Sequence, residues 1–293
     1  MLRKEFLGMM AALPFSANAM KNLLESESPE SRNRKERMPL LFLGHGSPMN
    51  AIEENEFVRG FREVASTLPW PRAILCISAH WETSGTRLTA MEKPRTIHDF
   101  GGFPQALFDV KYPVPGSPAL VKEAQAMLKG YAAEADQQWG LDHGAWSVLK
   151  HLYPKADIPV VQMSLDYNKK PAEHYQMAKE LEGLRNSGVL IIGSGNLVHN
   201  LGMVAWDKIN QPYAYEWAQE AMHKMREALL LDEHQKLVQF ESQGREFQLS
   251  IPSPEHFLPI LYILGLKKPD EKIRLFNDKP LAGSLSMTSV VID

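Results

Sequence analysis

The chain has 293 residues, 44% of them hydrophobic, and a formal net charge of -3. That length and apolar content suffice for a sizeable core, and the near-neutral balance gives no electrostatic reason to bind nucleic acid or an anionic membrane surface. One cysteine excludes an internal disulfide, and no run reaches the roughly 18 to 20 consecutive apolar residues of a membrane span.

Arg3 and Lys4 open the chain, an apolar run from Phe6 to Phe15 follows, and then Ala17-Asn18-Ala19. This is the order of charge, apolar core and small residues found in secretory signals. Export to the periplasm is one reading; a cytoplasmic protein with an N-terminal extension is the other. Glu25 to Arg37 is charged and apolar-poor, so it reads as a linker. Residues 1–37 are therefore set apart, and 38–293 are expected to form one domain.

"PLLFLG" (39–44) predicts a buried strand, and it runs into a histidine framed by glycines, His45. Phe57, Val58, Phe61, Val64 and Leu68 recur at helical spacing. "AILCISAH" (73–80) is a continuous apolar run, hence an interior strand ending at His80, with Cys76 as a buried structural residue. "RLTAM" (87–91) is a further strand. Met91 to Pro118 is a long loop rich in Gly, Pro and aromatics, and such loops are usually functional or lid-like. Ser117 followed by Pro118 predicts a helix start, with Gly130 as its stop. Beyond it, the pattern predicts a short helix over 144–153, a strand over 158–165 and an amphipathic helix over 171–188. A buried strand follows over 188–195, then a long helix over 213–231, a helix over 255–265 and a last strand over 283–292. The βαβα rhythm predicts one α/β domain, a mostly parallel or mixed sheet flanked by helices.

The ten histidines carry most of the chemical content. Phosphate-loop, zinc-protease and nucleophile-elbow motifs are absent from the sequence. Open α/β sheets bind ligands at the carboxyl ends of their strands, where His45, His80 and His199 are all expected. His143 and His256 fall at helix starts. Neutral imidazole is the commonest metal ligand and suits zinc and iron. His98, in the long loop, is a candidate for substrate approach. His151, His174, His223 and His234 fall among Lys, Glu and Gln on helices and read as solvated or partly packed. Arg95 and Lys111 are weak candidates for a carboxylate pocket and read as solvated charges.

The blocks "LFLGHGSPMN", "ISAHWET", "TIHDFGGFPQALFDVKYPVPGSP", "LDHGAWSVLKHLYP", "SGNLVHNL", "PSPEHFLPILYILG" and "GSLSMTSV" together resemble the class III extradiol ring-cleavage dioxygenases, and among them the 4,5-DOPA extradiol dioxygenase branch. The resemblance runs from about Met38 to the C-terminus. It implies a catalytic α/β domain, one divalent metal per chain, Zn(II) or Fe(II), a small-molecule catechol substrate and molecular oxygen. It implies His45, His80 and His256 as metal ligands, and His199 as catalytic base or fourth ligand. His143 matches a position that contacts substrate or oxygen, and Phe100 and Phe103 either cover the substrate ring or pack in the core. Larger relatives use two histidines and a glutamate; here Glu255 stands beside His256. An imidazole titrates near pH 6.5 when unperturbed, so His199 is expected to take and return a proton near neutrality. A zinc hydrolase using the same cluster and a non-catalytic binding member of the fold family are the rival readings, and a homo-oligomer is left open.

Overall fold

The computed structural model describes residues 37–209 and 211–293, so the signal-like segment and all of the charged linker but Arg37 lie outside the described residues. The strands are β1 (Leu40–Gly44), β2 (Ala73–Thr83), β3 (Arg87–Thr89), β4 (Glu134–Asp136), β5 (Val160–Asp166), β6 (Val189–Gly195), β7 (Ile273–Phe276), β8 (Pro280–Leu281), β9 (Leu285–Ser286) and β10 (Ser289–Ile292). The helices are α1 (Glu56–Ala65), α2 (Gln105–Phe108), α3 (Pro118–Met127), α4 (His143–Leu152), α5 (Pro171–Glu180), α6 (Glu182–Asn186), α7 (Glu216–Leu230), α8 (His234–Val238), α9 (Arg245–Ser250) and α10 (Leu258–Leu266).

Eight strands form one sheet in the order β4-β3-β5-β2-β6-β1-β10-β7. The central β5, β2, β6 and β1 run parallel, while β10 and β7 add antiparallel pairings at one side and β3 pairs antiparallel with β5 at the other. The central strands are apolar on both faces because both faces are covered. Leu40 and Phe42 enter one core cluster while Leu41 and Leu43 enter another. Val189 and Ile191 alternate with Leu190 and Ile192 in the same way. Helices α3, α5, α7 and α10 line the first cluster; α1 and α4 line the second. Each fully buried Leu, Ile or Phe contributes roughly 1.5–3 kcal/mol. The result is a single α/β domain with a mixed central sheet flanked by helices.

Local chemistry sets the element ends. Asn55 caps α1 through Val58 N–H, and Ser117 caps α3 through Leu120 N–H with Pro118 at the first turn, as its sequence predicts. Fully buried Arg185 ties both ends of the domain. It donates to the carbonyls of Met38 and Leu266, each at 2.9 Å, and to Glu271 Oε1 at 2.6 Å.

Four expectations need correction. β2 does not end at His80 but continues to Thr83, with its pairing to β5 shifted between Ile77 and Glu82. The helix expected over 171–188 breaks at Leu181 into α5 and α6. The last strand splits around Met287 and Thr288, where Ser289 Oγ donates to the Met287 carbonyl. His174 is fully buried and not solvated, because it shares a helical stripe with buried Met177, Ala178 and Leu181; its Nδ1 pairs with Tyr262 Oη at 2.8 Å.

Candidate metal centre

Because β2, β6 and β1 are adjacent and parallel, their carboxyl ends share one rim of the sheet. His45 follows the last residue of β1, and its backbone N–H donates to Gly195 at the end of β6. Gly46, at φ 61°, turns the chain sharply just after it. His80 lies in the irregular stretch of β2, where extra residues on one strand re-aim its side chain. His199 lies just past β6, held by its N–H to the Ser250 carbonyl. His256 sits in the turn before α10, and its carbonyl accepts Asn196 N–H at 2.8 Å. His143 is the first residue of α4, whose N-cap is Asp142.

These five imidazoles meet. Donor nitrogens of His45, His80 and His256 all lie within 4.8 Å of one another. The Nε2 atoms of His45 and His80 are 3.1 Å apart. The His199 ring stacks on His256 with centroids 3.5 Å apart, and the His143 ring lies 3.9 Å from His80.

Hydrogen bonds fix which nitrogens face inward. Ser194 Oγ has one proton and gives it to the Gly144 carbonyl at 2.5 Å. It can only accept from His45 Nδ1 at 3.0 Å, so Nδ1 carries the hydrogen and Nε2 keeps a lone pair. His256 Nδ1 donates to Glu255 Oε1 at 3.0 Å, which leaves its Nε2 free in the same way. His143 Nδ1 donates to Asp99 Oδ2 at 2.9 Å. Behind them, buried Asp142 accepts from Ser78 Oγ at 2.7 Å and from Ala145 N–H.

The electrostatics match the tautomers. Burial, reinforced by the neighbouring imidazoles, lowers the pKa of His45 and His80 well below the ordinary value. Burial also lowers His256, against the opposing pull of Glu255. Burial and the adjacent His256 bring His199 down to about 3, so the near-neutral titration expected from the sequence is not kept. Burial pushes the Asp99 and Glu255 carboxyls up, but the N–H groups of His143 and His256 outweigh it and hold both below the usual range. His45, His80, His199 and His256 are therefore neutral imidazoles beside ionised carboxylates. Neutral nitrogen donors are the form that binds metal. Two nitrogens bonded to one ion at about 2.0–2.1 Å lie no more than roughly 4.2 Å apart, and His45 and His80 meet that condition at 3.1 Å. The residues fit a divalent cation.

The other candidates fall elsewhere. His98 Nε2 donates to the Val110 carbonyl at 3.0 Å, and its ring packs on Phe100, Phe108 and Trp146, outside the cluster. Phe100 meets the His143 ring edge-on with centroids 5.5 Å apart, and Phe103 packs on Phe100; both are half-buried against the core. Arg95 and Lys111 are exposed. Cys76 is buried and free. His151 is half-buried and donates to the Asn50 carbonyl, while His223 is exposed. Sequence reading missed Asp99 and Ser194. Asp99 adjoins His98, but nothing in its spacing tells which of the two faces the site.

Among the described residues, no helix is long and apolar enough to cross a membrane. Residues 39–280 match the family described as the catalytic LigB subunit of aromatic ring-opening dioxygenase. The chain is 46% identical to a 4,5-DOPA dioxygenase extradiol of Escherichia coli K12 over 87% of this chain and 95% of that one. It is 35% identical to a protein of the same name from Beta vulgaris, over 85% and 94% of the two chains. A crystal structure of an uncharacterized Escherichia coli K12 protein superposes with a TM-score of 0.76 at 42% identity, covering 88% of this chain and all of that one. Overall fold and sequence likeness thus agree: the chain belongs to the LigB family of aromatic ring-opening dioxygenases.

Proposed function

We propose that this extradiol dioxygenase opens the ring of a catechol such as DOPA with molecular oxygen, at a divalent metal held by His45, His80 and His256. The observation that carries the reading is the convergence of three imidazole donors on one rim, two of them with their hydrogen locked on the outer nitrogen. The names of the relatives from Escherichia coli and Beta vulgaris support the catechol. When bound, Fe(II) supplies open positions for both catechol oxygens and dioxygen and lowers the pKa of the catechol hydroxyl. Three imidazoles also suit zinc; oxygen chemistry favours iron.

The chain's own groups handle the protons. His199 is neutral at physiological pH, and among the described residues its ring nitrogens have no hydrogen-bond partner. It is therefore free to take a proton from a catechol hydroxyl and to return it later in the reaction. His143 sits beside His80 on the same rim, and its role in this reading is to contact a substrate oxygen. Phe100 packs edge-on against His143 with Phe103 behind it, and the pair walls that side against water.

The test is His199→Ala loaded with Fe(II) without air. Metal and catechol should still bind, while formation of the yellow ring-opened product falls by about 10²–10⁴. Loss of metal would make His199 a fourth ligand. A native protein that binds Fe(II) fully and opens no catechol would overturn the reading.

A further inference from the structure

Asp99 touches His143 twice. Its Oδ1 accepts the His143 backbone N–H at 2.8 Å, and its Oδ2 accepts Nδ1–H at 2.9 Å. The loop is brought there by backbone pairing. Thr96 forms a parallel bridge with Leu141, flanked by Ile97 N–H to the Leu141 carbonyl at 2.7 Å and Leu141 N–H to the Arg95 carbonyl at 2.9 Å. A parallel bridge carries both chains onward in the same direction, so Asp99 and His143 emerge side by side. The His143 N–H is one of the unpaired donors of the first turn of α4, and Asp142 is already committed to Ala145 N–H. The Asp99 side chain is 16% exposed and that of His143 only 8%. Oδ2 also lies 3.6 Å from Nδ1 of His80.

A carboxylate can only accept, and with both contacts made the imidazole has no freedom to flip. Asp99 therefore dictates which His143 nitrogen carries the hydrogen. Among the described residues, Nε2 of His143 has no hydrogen-bond partner in the protein.

We propose that Asp99 is a positioning residue that locks His143 with Nδ1 protonated, so that Nε2 meets the substrate as an acceptor. His143 is then a second proton acceptor beside His199. A catechol O–H proton moves to Nε2 while its electron pair stays on oxygen, and Asp99 stabilises the imidazolium that results. Two acceptors on one rim match the two hydroxyls of a catechol. This rests on the extradiol reading above, but the tautomer of His143 does not.

The test has an arm that needs no activity. In long-range proton–nitrogen spectra of Zn(II)-loaded, nitrogen-15-labelled protein, with His143→Gln used for assignment, His143 should show a protonated Nδ1 and a bare Nε2. Asp99→Asn offers an N–H to Nδ1 and should move the hydrogen to Nε2. A native Nε2–H, or a tautomer unchanged in Asp99→Asn, overturns the proposal. The native spectrum decides even if the variant does not fold. In the Fe(II) enzyme, Asp99→Asn should keep its metal and lose about 10²–10⁴ in kcat, with KM changed by less than about threefold. Asp99→Asn added to His143→Ala should cause no further loss. A further loss, or two metals per native chain falling to one in Asp99→Asn, would make Asp99 a ligand through His80 and refute positioning. If native protein opens no catechol, the extradiol reading fails while the spectra still judge Asp99.

Discussion

Gly195, the last residue of β6, is where the backbone carrying His256 comes closest to the sheet. A Cβ there would lie 2.1 Å from the His256 carbonyl oxygen. Carbon and oxygen tolerate about 3.3 Å at closest, so Gly195→Ala demands a displacement of roughly 1.2 Å. The carbonyl cannot swing away freely, because Asn196 N–H holds it at 2.8 Å. Breaking that bond costs about 1 kcal/mol, and moving the turn shifts His256 with it. Metal–nitrogen bonds accept deviations of only about 0.2 Å, several times less than the displacement. Gly195→Ala should therefore weaken metal binding by at least about 100-fold, the upper end for disturbed ligand support. The assay is a competitive titration against a chromogenic chelator, with circular dichroism reporting the fold. Gly202→Ala is the control, since its Cβ would meet only Asn200 Oδ1 at 3.4 Å. Native affinity in a folded Gly195→Ala protein would refute the placement of His256 against β6.

Ser194→Ala should lower metal affinity by about 10–100-fold, because it leaves His45 Nδ1–H without its acceptor and takes the hydroxyl donor from the Gly144 carbonyl; isothermal titration with Zn(II) checks it, and an unchanged affinity would contradict the tautomer assigned to His45. Burial lowers the pKa of His174 to about 4. Between that value and about 6.5 the unfolded chain binds the extra proton, so stability falls as the pH falls through this window, by up to roughly 3 kcal/mol. Urea titrations at pH 7.5 and 4.5 should show a smaller acid loss in the His174→Leu/Tyr262→Phe double variant than in the native protein; equal losses would contradict this.

The strands most legible in the sequence were those buried on both faces. Apolar runs such as 188–195 are short and bordered by glycine, which favours a buried strand over a helix, and three of the five clustered histidines follow or lie within such runs. The edges were not legible. β4 reads Glu-Ala-Asp and is held by pairing with β3, not by an apolar pattern of its own. The irregularity in β2 was hidden because an unbroken apolar run does not record where its pairing slips, yet that slip aims His80. His174 could have been found, since Met177, Ala178 and Leu181 follow it at helical spacing and mark its face as inward. Asp99 could not, because its partner is 44 residues away and only the bridge between Thr96 and Leu141 brings the two together.

The most direct measurement of the central claim is metal content together with oxygen uptake, made on native protein and on His45→Ala, His80→Ala and His256→Ala. Native chains should bind one Fe(II) each and consume one dioxygen per catechol opened, and each variant should lose the metal and the uptake together. Ring opening that survives in a variant, or tight metal binding without any of the three imidazoles, would contradict the account.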